Sequence, residues 1–333
     1  MYRVLYNFTY SRKGINMQNK LIWAYLIHLS AHMWDDEYSP NRGWYVPSWY
    51  TDKNNTDIEV WDTTVKYLAE TGFNTLLIDV GDAVLYESHP EISAPDAWTK
   101  DFLKKKLDEI RALGITPIPK LNFSTGHNTW LKKYRRMIST PEYYTVCADL
   151  IKEVCELFGY PELFHLGFDE ESPNFQYRQD MVIVRNQALW WHDLNFLAKE
   201  CEKHGARPWI WSDYCWKHKE LFLKNMSKSI LQSNWYYGWF NDFSETSDAF
   251  VHIDTYRLLE EHGYDQVPTC STWANNWNTK QTIAHGKKII APERLKGFMT
   301  APWVFTYTDN KYALLSDAEK FYYGRKEFYP ESF

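Results

Sequence analysis

Amphipathic runs that end at a glycine, and are followed by a short apolar run, recur along this chain. The glycines that end the five clearest runs are Gly72, Gly114, Gly159, Gly205 and Gly263. Glycine just past a helix adopts the left-handed conformation at little cost, and the apolar run after it is typical of a strand buried on both faces. The pattern therefore predicts helices that alternate with parallel strands.

Eight apolar runs fit this strand pattern. They cover residues 22–29, 74–80, 115–121, 163–169, 207–213, 229–235, 266–271 and 296–303. Eight strand–helix units close a barrel, whereas an open doubly wound sheet usually has fewer strands and a GxGxxG turn, which follows none of these strands. We therefore predict a fold of the α/β class, a single-domain (β/α)8 TIM barrel. It would cover residues 22–333 with a C-terminal helix, after an N-terminal extension at residues 1–21.

The catalytic groups of such a barrel lie at the C-terminal ends of its strands. Carboxylates gather there on the second, fourth and fifth strands, and tryptophans on the fifth to the eighth. The strand-end residues of interest are Asp82, His127, Asp169, Glu170, Trp211, Asp213, Trp235, Tyr236, Trp273 and Trp303. A cup with acids on one side and aromatic walls on the other is typical of a sugar-binding site.

Aromatic residues are the outlying feature of the composition. They make up 18% of the 333 residues, with 17 Trp and 24 Tyr. A broad aromatic plane with one polar atom suits the C–H faces and hydroxyls of a sugar. Composition therefore favours a carbohydrate substrate, with the packing of indoles inside a large barrel as the alternative reading.

Charge and cysteine content argue against several other classes. A formal net charge of −6 offers no basic surface for a phosphate backbone, so nucleic acid is not an expected partner. No apolar run reaches the roughly 18 residues of a membrane span. The five cysteines form no CxxC pair, and His28 and His32 do not form the His-x-His of barrel metallohydrolases. We therefore expect neither a metal nor another cofactor.

The first residues lack a clean apolar h-region and a small-residue cleavage site. This predicts a cytoplasmic protein if the start is native, and a periplasmic or secreted one if a signal has been removed.

Residues 156–171, ELFGYPELFHLGFDEE, resemble the fourth-strand motif of family 20 glycoside hydrolases, the β-N-acetylhexosaminidases. That motif reads His-x-Gly-Gly-Asp-Glu, and its counterpart here is His165, Gly167, Phe168, Asp169 and Glu170. Other segments resemble the family in barrel order. They are 73–92, 112–127, WSD at 211–213, LQSNW at 231–235 and APW at 301–303.

The resemblance implies a retaining, substrate-assisted hydrolysis of a β-linked N-acetylhexosamine or a related sugar. In that family the 2-acetamido oxygen of the substrate attacks C1, so the enzyme supplies no nucleophile. Carried over, Glu170 would be the general acid and then the base, and Asp169 would hold the acetamide N–H and stabilise the oxazolinium charge. The seventh strand, VPTCSTW, offers no carboxylate, which agrees with a mechanism that lacks an enzyme nucleophile on that strand.

The chain departs from the family pattern where the family grips sugar hydroxyls. The first-strand Arg is replaced by Ala31, and the eighth-strand Trp-x-Glu becomes Trp303-Val304-Phe305. The second Gly of the motif is Phe168, and the fifth-strand Glu is shortened to Asp213. We therefore expect the acid pair to be kept and the grip on the terminal sugar to be altered.

Two alternatives stay open at the level of sequence. An inverting glycosidase would use Glu170 as acid and Asp213 or Asp82 as base, with the carboxyls ~6.5–9.5 Å apart. A barrel that binds glycans without cleaving them would explain the lost Arg and Glu.

Overall fold

Eight parallel strands form the centre of the computed structural model, which describes residues 21–36, 51–177, 179–241, 244–247 and 249–333. The predicted extension lies outside the described residues apart from Leu21. The strands are β1 (Ile22–His28), β2 (Thr75–Asp79), β3 (Thr116–Lys120), β4 (Leu163–His165), β5 (Arg207–Trp211), β6 (Leu231–Ser233), β7 (Thr269–Cys270) and β8 (Gly297–Thr300).

The strands follow one another around a closed ring. The sheet runs in the order β6-β5-β4-β3-β2-β1-β8-β7, and every pairing is parallel. Parallel bridges from Gln232 to Gln266 and from Trp235 to Thr269 join β6 to β7. The prediction of a (β/α)8 barrel is confirmed, and each strand is shorter than its apolar run.

The helices surround the barrel, since one follows each strand. They are α1 (Ile58–Glu70), α2 (Lys100–Ala112), α3 (Pro141–Leu157), α4 (Gln187–Lys203), α5 (Tyr214–Lys217), α6 (Lys219–Asn225), α7 (Phe250–Glu261), α8 (Asn278–Ile289) and α9 (Lys311–Phe328). The five helix-ending glycines all have φ between 68° and 81°, as the sequence predicted. Among the described helices, none has the length and apolar character that a membrane crossing needs.

Local sequence sets where several helices begin. Asp57 accepts hydrogen bonds from the amides of Glu59 and Val60 at the start of α1, and Thr99 and Asn186 cap α2 and α4 in the same way. Thr140 caps α3, whose first residue is a proline that has no amide hydrogen to satisfy.

The core has two parts. A large cluster lies between the strands and the helices, and includes Trp61, Leu103, Ile151 and Leu197. A smaller one fills the barrel itself, with Leu26, Leu77, Ile118, Trp209 and Met299. Alternate strand residues supply the two parts because successive side chains of a strand point to opposite faces. All five cysteines are buried and none is in a disulfide.

A fully buried ion pair spans β2 and β3 inside the barrel. Lys120 Nζ donates to Asp79 Oδ2, and both side chains are inaccessible to water. His28 lies beside them on β1, with Nδ1 at 3.5 Å from Asp79 Oδ2. Burial alone raises the pKa of Asp79, but the charge of Lys120 and the contact with His28 outweigh it, so the pKa lies below its usual value.

We expect Lys120→Met to destabilise the fold by ~3–5 kcal/mol, because it leaves the Asp79 carboxylate buried without its cation. Urea unfolding measures the change. The control is Lys105→Met, which removes an exposed lysine of α2. Equal stability of the two variants would show that Asp79 does not depend on Lys120.

Candidate active site

The chain turns sharply after β4, and this turn positions the acid pair. Gly167, Phe168 and Glu170 have φ of 76°, 70° and 54°. A side chain at residue 167 would meet Asn122 Oδ1 at 1.9 Å, so only glycine fits there. Phe168 and Glu170 adopt a conformation that costs other residues energy, and such strain is concentrated at functional sites.

Phe168 takes the glycine-like conformation because its ring is firmly packed. The ring lies edge-on to Trp190 at 5.4 Å, and the Arg185 guanidinium stacks over it at 4.7 Å. Arg185 is itself held by Glu171 and Asp193. These contacts hold Phe168 in its left-handed conformation and fix the backbone just before the acid pair.

Asp169 and Glu170 share one histidine. His127 Nε2 lies 3.3 Å from Asp169 Oδ2 and 3.1 Å from Glu170 Oε2. Asn122 Nδ2 donates to Asp169 Oδ1 at 2.9 Å, which fixes that carboxyl in place. Asp169 is buried, whereas the Glu170 side chain is 21% exposed and can reach a substrate.

The two carboxyls have opposite pKa shifts. Burial raises the pKa of Asp169, but the charges of His127 and Lys120 and the hydrogen bonds from His127 and Asn122 bring it down to about 2. Burial and the Asp169 charge raise the pKa of Glu170 above its usual value, against the effect of His127. Burial lowers the pKa of His127, yet the two carboxyls raise it to about 10. The arrangement favours an ionised Asp169 and a charged His127, and it keeps Glu170 protonated to a higher pH than an ordinary glutamate.

Asp213, just after β5, supports Glu170 from the other side. Its Oδ2 accepts a hydrogen bond from the Glu170 amide at 2.9 Å. Burial and the charges of Asp169 and Glu170 raise the pKa of Asp213 to about 8, so it is largely protonated at neutral pH. A neutral Asp213 is a weak base.

Three predicted sugar-binding tryptophans line the interior of the cup. Trp211 lies at its floor beside Trp303, with ring centroids 5.9 Å apart, and Trp235 packs against the same inner cluster. Trp211 Nε1 is buried without a hydrogen-bond partner among the described residues.

Other predicted sugar contacts lie elsewhere. Asp82 is fully buried and accepts from Ser30 Oγ, His32 Nδ1 and Lys132 Nζ at 2.9, 2.6 and 2.8 Å. The structure therefore corrects the prediction that Asp82 contacts a sugar. Its carboxylate is fully buried and occupied by these three partners. Trp273 is 68% exposed on the outer rim, and Tyr236 stacks on His252 at 5.6 Å.

Two further aromatic side chains complete the cup. Tyr237 stacks on Trp235 at 5.0 Å and neighbours Trp303, while Trp34 lies edge-on to His127 at 6.1 Å. No signal in the sequence indicated Trp34. In an extended segment, side chains two residues apart point to the same side. This alternation would have favoured Tyr237, which lies on the same side as Trp235 at the end of the sixth strand.

Apolar side chains stand at Ala31 and Phe305, two positions where the sequence departs from the family pattern. Ala31 is buried, and its amide donates to Asn54 Oδ1 at 2.8 Å. Phe305 packs against Trp34 and His28, with ring centroids 5.7 and 5.9 Å apart. Both positions thus carry an apolar side chain, of which only Phe305 is aromatic.

His127, Asp169 and Glu170 have ligand atoms within 4.8 Å of one another, a spacing that a metal ion could also use. A metal requires a neutral imidazole, whereas the two carboxyls hold the His127 pKa at about 10. At neutral pH the two carboxyls therefore share a protonated His127.

Solved structures share this fold. A Flavobacterium johnsoniae chitobiase is similar with a TM-score of 0.57 and 19% identity, over 80% of this chain and 46% of its own. An exo-β-N-acetylglucosaminidase of Vibrio harveyi, in complex with N-acetylglucosamine, gives 0.60 and 13%, over 94% and 58%. A β-N-acetylhexosaminidase of Streptomyces coelicolor A3(2) gives 0.59 and 13%, over 91% and 64%.

This chain thus spans about half the length of the first two of these proteins. No protein-family model matches the sequence, and no curated protein matches it. The resemblance to family 20 glycoside hydrolases is confirmed as a likeness of fold, and the chain has the architecture of their catalytic barrels.

We expect Asp169→Asn to lower the His127 pKa from about 10, because it removes the nearest counter-charge while burial still disfavours the imidazolium. NMR titration of the histidine side chains measures this directly. Asp309→Asn, at an exposed aspartate, is the control. An unchanged His127 titration in the Asp169 variant would mean that the two groups do not interact.

Proposed function

We propose that this protein is a glycoside hydrolase that cleaves β-linked N-acetylhexosamine, or a related 2-acetamido sugar, with retention of configuration. The observation that carries the proposal is the acid pair itself. Asp169 and Glu170 contact one histidine, have opposite pKa shifts and stand at the mouth of an aromatic cup. Such divergent carboxyls are what acid catalysis beside a stabilised cation requires.

In the first step Glu170 protonates the glycosidic oxygen, and the bond from that oxygen to C1 breaks. The acetamide oxygen of the same sugar bonds to C1, which gives an oxazolinium ion and releases the leaving group. Ionised Asp169 accepts a hydrogen bond from the acetamide N–H and stabilises the positive charge.

In the second step Glu170 takes a proton from water while the water oxygen attacks C1. The bond between C1 and the acetamide oxygen breaks, which restores the acetamide and releases the sugar with its original configuration. His127 contacts both carboxyls throughout, and the hydrogen bond from Asn122 fixes the orientation of the Asp169 carboxyl.

The neighbouring structures support this sugar class. The Vibrio harveyi enzyme is described as an exo-β-N-acetylglucosaminidase and was solved with N-acetylglucosamine. The Streptomyces coelicolor protein is described as a β-N-acetylhexosaminidase. Their likeness to this chain in fold, together with the matching position of the acid pair in the fourth-strand motif, favours the same class here.

The inverting alternative has weaker support. Asp82 is enclosed by three hydrogen-bonding partners and has no contact with water. The pKa of Asp213 is raised to about 8, so its carboxyl is largely protonated and is a poor base at neutral pH.

A glycan-binding barrel without catalysis is the second candidate. The observation in its favour is that Ala31 and Phe305 are apolar, because the family grips sugar hydroxyls at those positions. The turnover experiment below separates the two candidates.

We expect the protein to hydrolyse 4-nitrophenyl β-glycosides that carry a 2-acetamido group, and to leave those with a 2-hydroxyl intact. Glu170→Gln should lower kcat by ~10²–10⁴-fold on natural substrates, whose leaving groups need protonation to depart. Asp169→Asn should lower kcat/KM by ~10²–10³-fold. Release of nitrophenol and of reducing sugar provides the measurement.

The matched control is Asp309→Asn, an exposed site away from the cup. Equal hydrolysis of 2-hydroxyl glycosides would contradict acetamide assistance. Sugar binding by calorimetry with no turnover of any glycoside would select the glycan-binding alternative.

The pH dependence of kcat/KM tests the role of His127. Activity requires a protonated Glu170 and an ionised Asp169, so it should fall as pH rises through the Glu170 pKa, which lies above the usual glutamate value. His127 lowers the pKa of both carboxyls. We therefore expect His127→Gln to move both limbs of the pH profile to higher pH, and unmoved limbs would exclude this coupling.

A further inference from the structure

A cavity of about 930 Å³ opens beside Glu170, between the ends of β4, β5 and β6. Residues of the loop from β4 to α4, of α5 and of the start of α7 line it. Those used below are Glu170, Phe175, Val184, Asp213, Trp216, Trp235 and His252.

The lining shows which side of the scissile bond the cavity faces. Glu170 and Asp213 belong to the wall, whereas Asp169 and His127 do not. The group that protonates the glycosidic oxygen stands between donor sugar and leaving group, and the group that holds the acetamide stands on the donor side. The cavity therefore lies on the leaving-group side of Glu170.

Four residues of the wall have a buried polar atom with no hydrogen-bond partner within the described part of the chain. These atoms are Trp190 Nε1, Tyr214 Oη, Asp213 Oδ1 and His252 Nδ1. Buried polar groups are nearly always satisfied, by protein, water or a ligand. Asp213 Oδ2 already accepts from the Glu170 amide, so the second oxygen is the one directed to another partner.

Aromatic side chains lie beside these polar atoms in the wall of the cavity. Trp216 packs edge-on against Trp235 and His252, with ring centroids 4.6 and 4.0 Å apart. Its Nε1 donates to Asn234 Oδ1 at 2.9 Å, which fixes the indole in the wall. Rigid aromatic surface beside single polar atoms matches the C–H faces and hydroxyls of a pyranose, and fits a lipid or a simple aryl group less well.

The size of the cavity indicates more than one sugar unit. Its volume lies near the upper end of the ~300–1,000 Å³ typical of small-molecule sites. Two apolar side chains continue the surface at its mouth, where Phe175 and Val184 are 44% and 52% exposed.

We propose that this cavity is the binding site for the leaving group, and that it takes an oligosaccharide of at least two sugar units. In this arrangement hydroxyls of the leaving chain pair with Asp213 Oδ1 and His252 Nδ1, its first ring lies against Trp216, and a more distant ring reaches Phe175. The inference rests on the proposed function, because that function defines which side of Glu170 receives the leaving group.

The test compares leaving groups on one donor sugar, the 2-acetamido sugar that the nitrophenyl panel selects. The leaving groups are 4-nitrophenol and chains of one, two and three sugars. We expect kcat/KM to rise at least about tenfold from one leaving sugar to two. His252→Phe keeps the ring against Trp216 and removes the polar atom, so it should lower the ratio of trisaccharide to nitrophenyl turnover by about three- to tenfold.

Phe175→Ala is the second variant, since an exposed mouth residue can be replaced without loss of the fold. It should reduce turnover only of substrates whose leaving chain has two or more sugars. Tyr312→Ala, at an aromatic residue that is 85% exposed outside the cavity, is the matched control.

The outcomes separate this inference from the proposed function. Turnover of the nitrophenyl sugar without any gain from a longer leaving chain, or with both variants equal to the control, overturns the inference alone. If no 2-acetamido glycoside is cleaved, the proposed function fails, and calorimetry with the free leaving-group oligosaccharides still decides whether the cavity binds them. Binding that His252→Phe weakens supports the site, and no binding overturns it.

Discussion

The contact of one imidazolium with two carboxyls that follow each other in the chain is the interaction on which this site depends. The Asp169 charge raises the pKa of the neighbouring Glu170, whereas the His127 charge lowers the pKa of both carboxyls and so stabilises them side by side. The backbone makes the contact feasible. In a strand, neighbouring side chains point to opposite faces, whereas the left-handed conformations at Phe168 and Glu170 direct both carboxyls to the same cation.

The barrel beneath the site is organised around buried charge. Asp79 and Lys120 pair on adjacent strands, and the Lys120 charge also lowers the pKa of Asp169. Two residues further along, Asn122 holds Asp169 by a hydrogen bond. The same strand end thus supplies both the electrostatic and the geometric support of the acid pair, which links the stability of the fold to the chemistry at its mouth.

Three departures from the family pattern place apolar side chains at Ala31, Phe168 and Phe305. Phe168 has a φ of 70°, and Trp190 and Arg185 pack around its ring in that conformation. Phe305 packs against Trp34 and His28, and Ala31 is buried. Under the proposed function, polar recognition of the substrate would then rest more on the cavity beside Glu170 than on these three positions.

The sequence by itself determined the closed eight-strand barrel, the helix-ending glycines and the position of Asp169 and Glu170 at the end of the fourth strand. These follow from local periodicity and from a short motif, which are properties of neighbouring residues. Only the tertiary structure decided that Asp82 is enclosed by Ser30, His32 and Lys132, that Trp273 points to solvent, and that Trp34 and Tyr237 complete the cup. The contacts of Asp82 and Trp34 join residues from 50 to 93 positions apart in the chain. No pattern among neighbouring residues specifies such contacts, or which strand-end side chains turn inward.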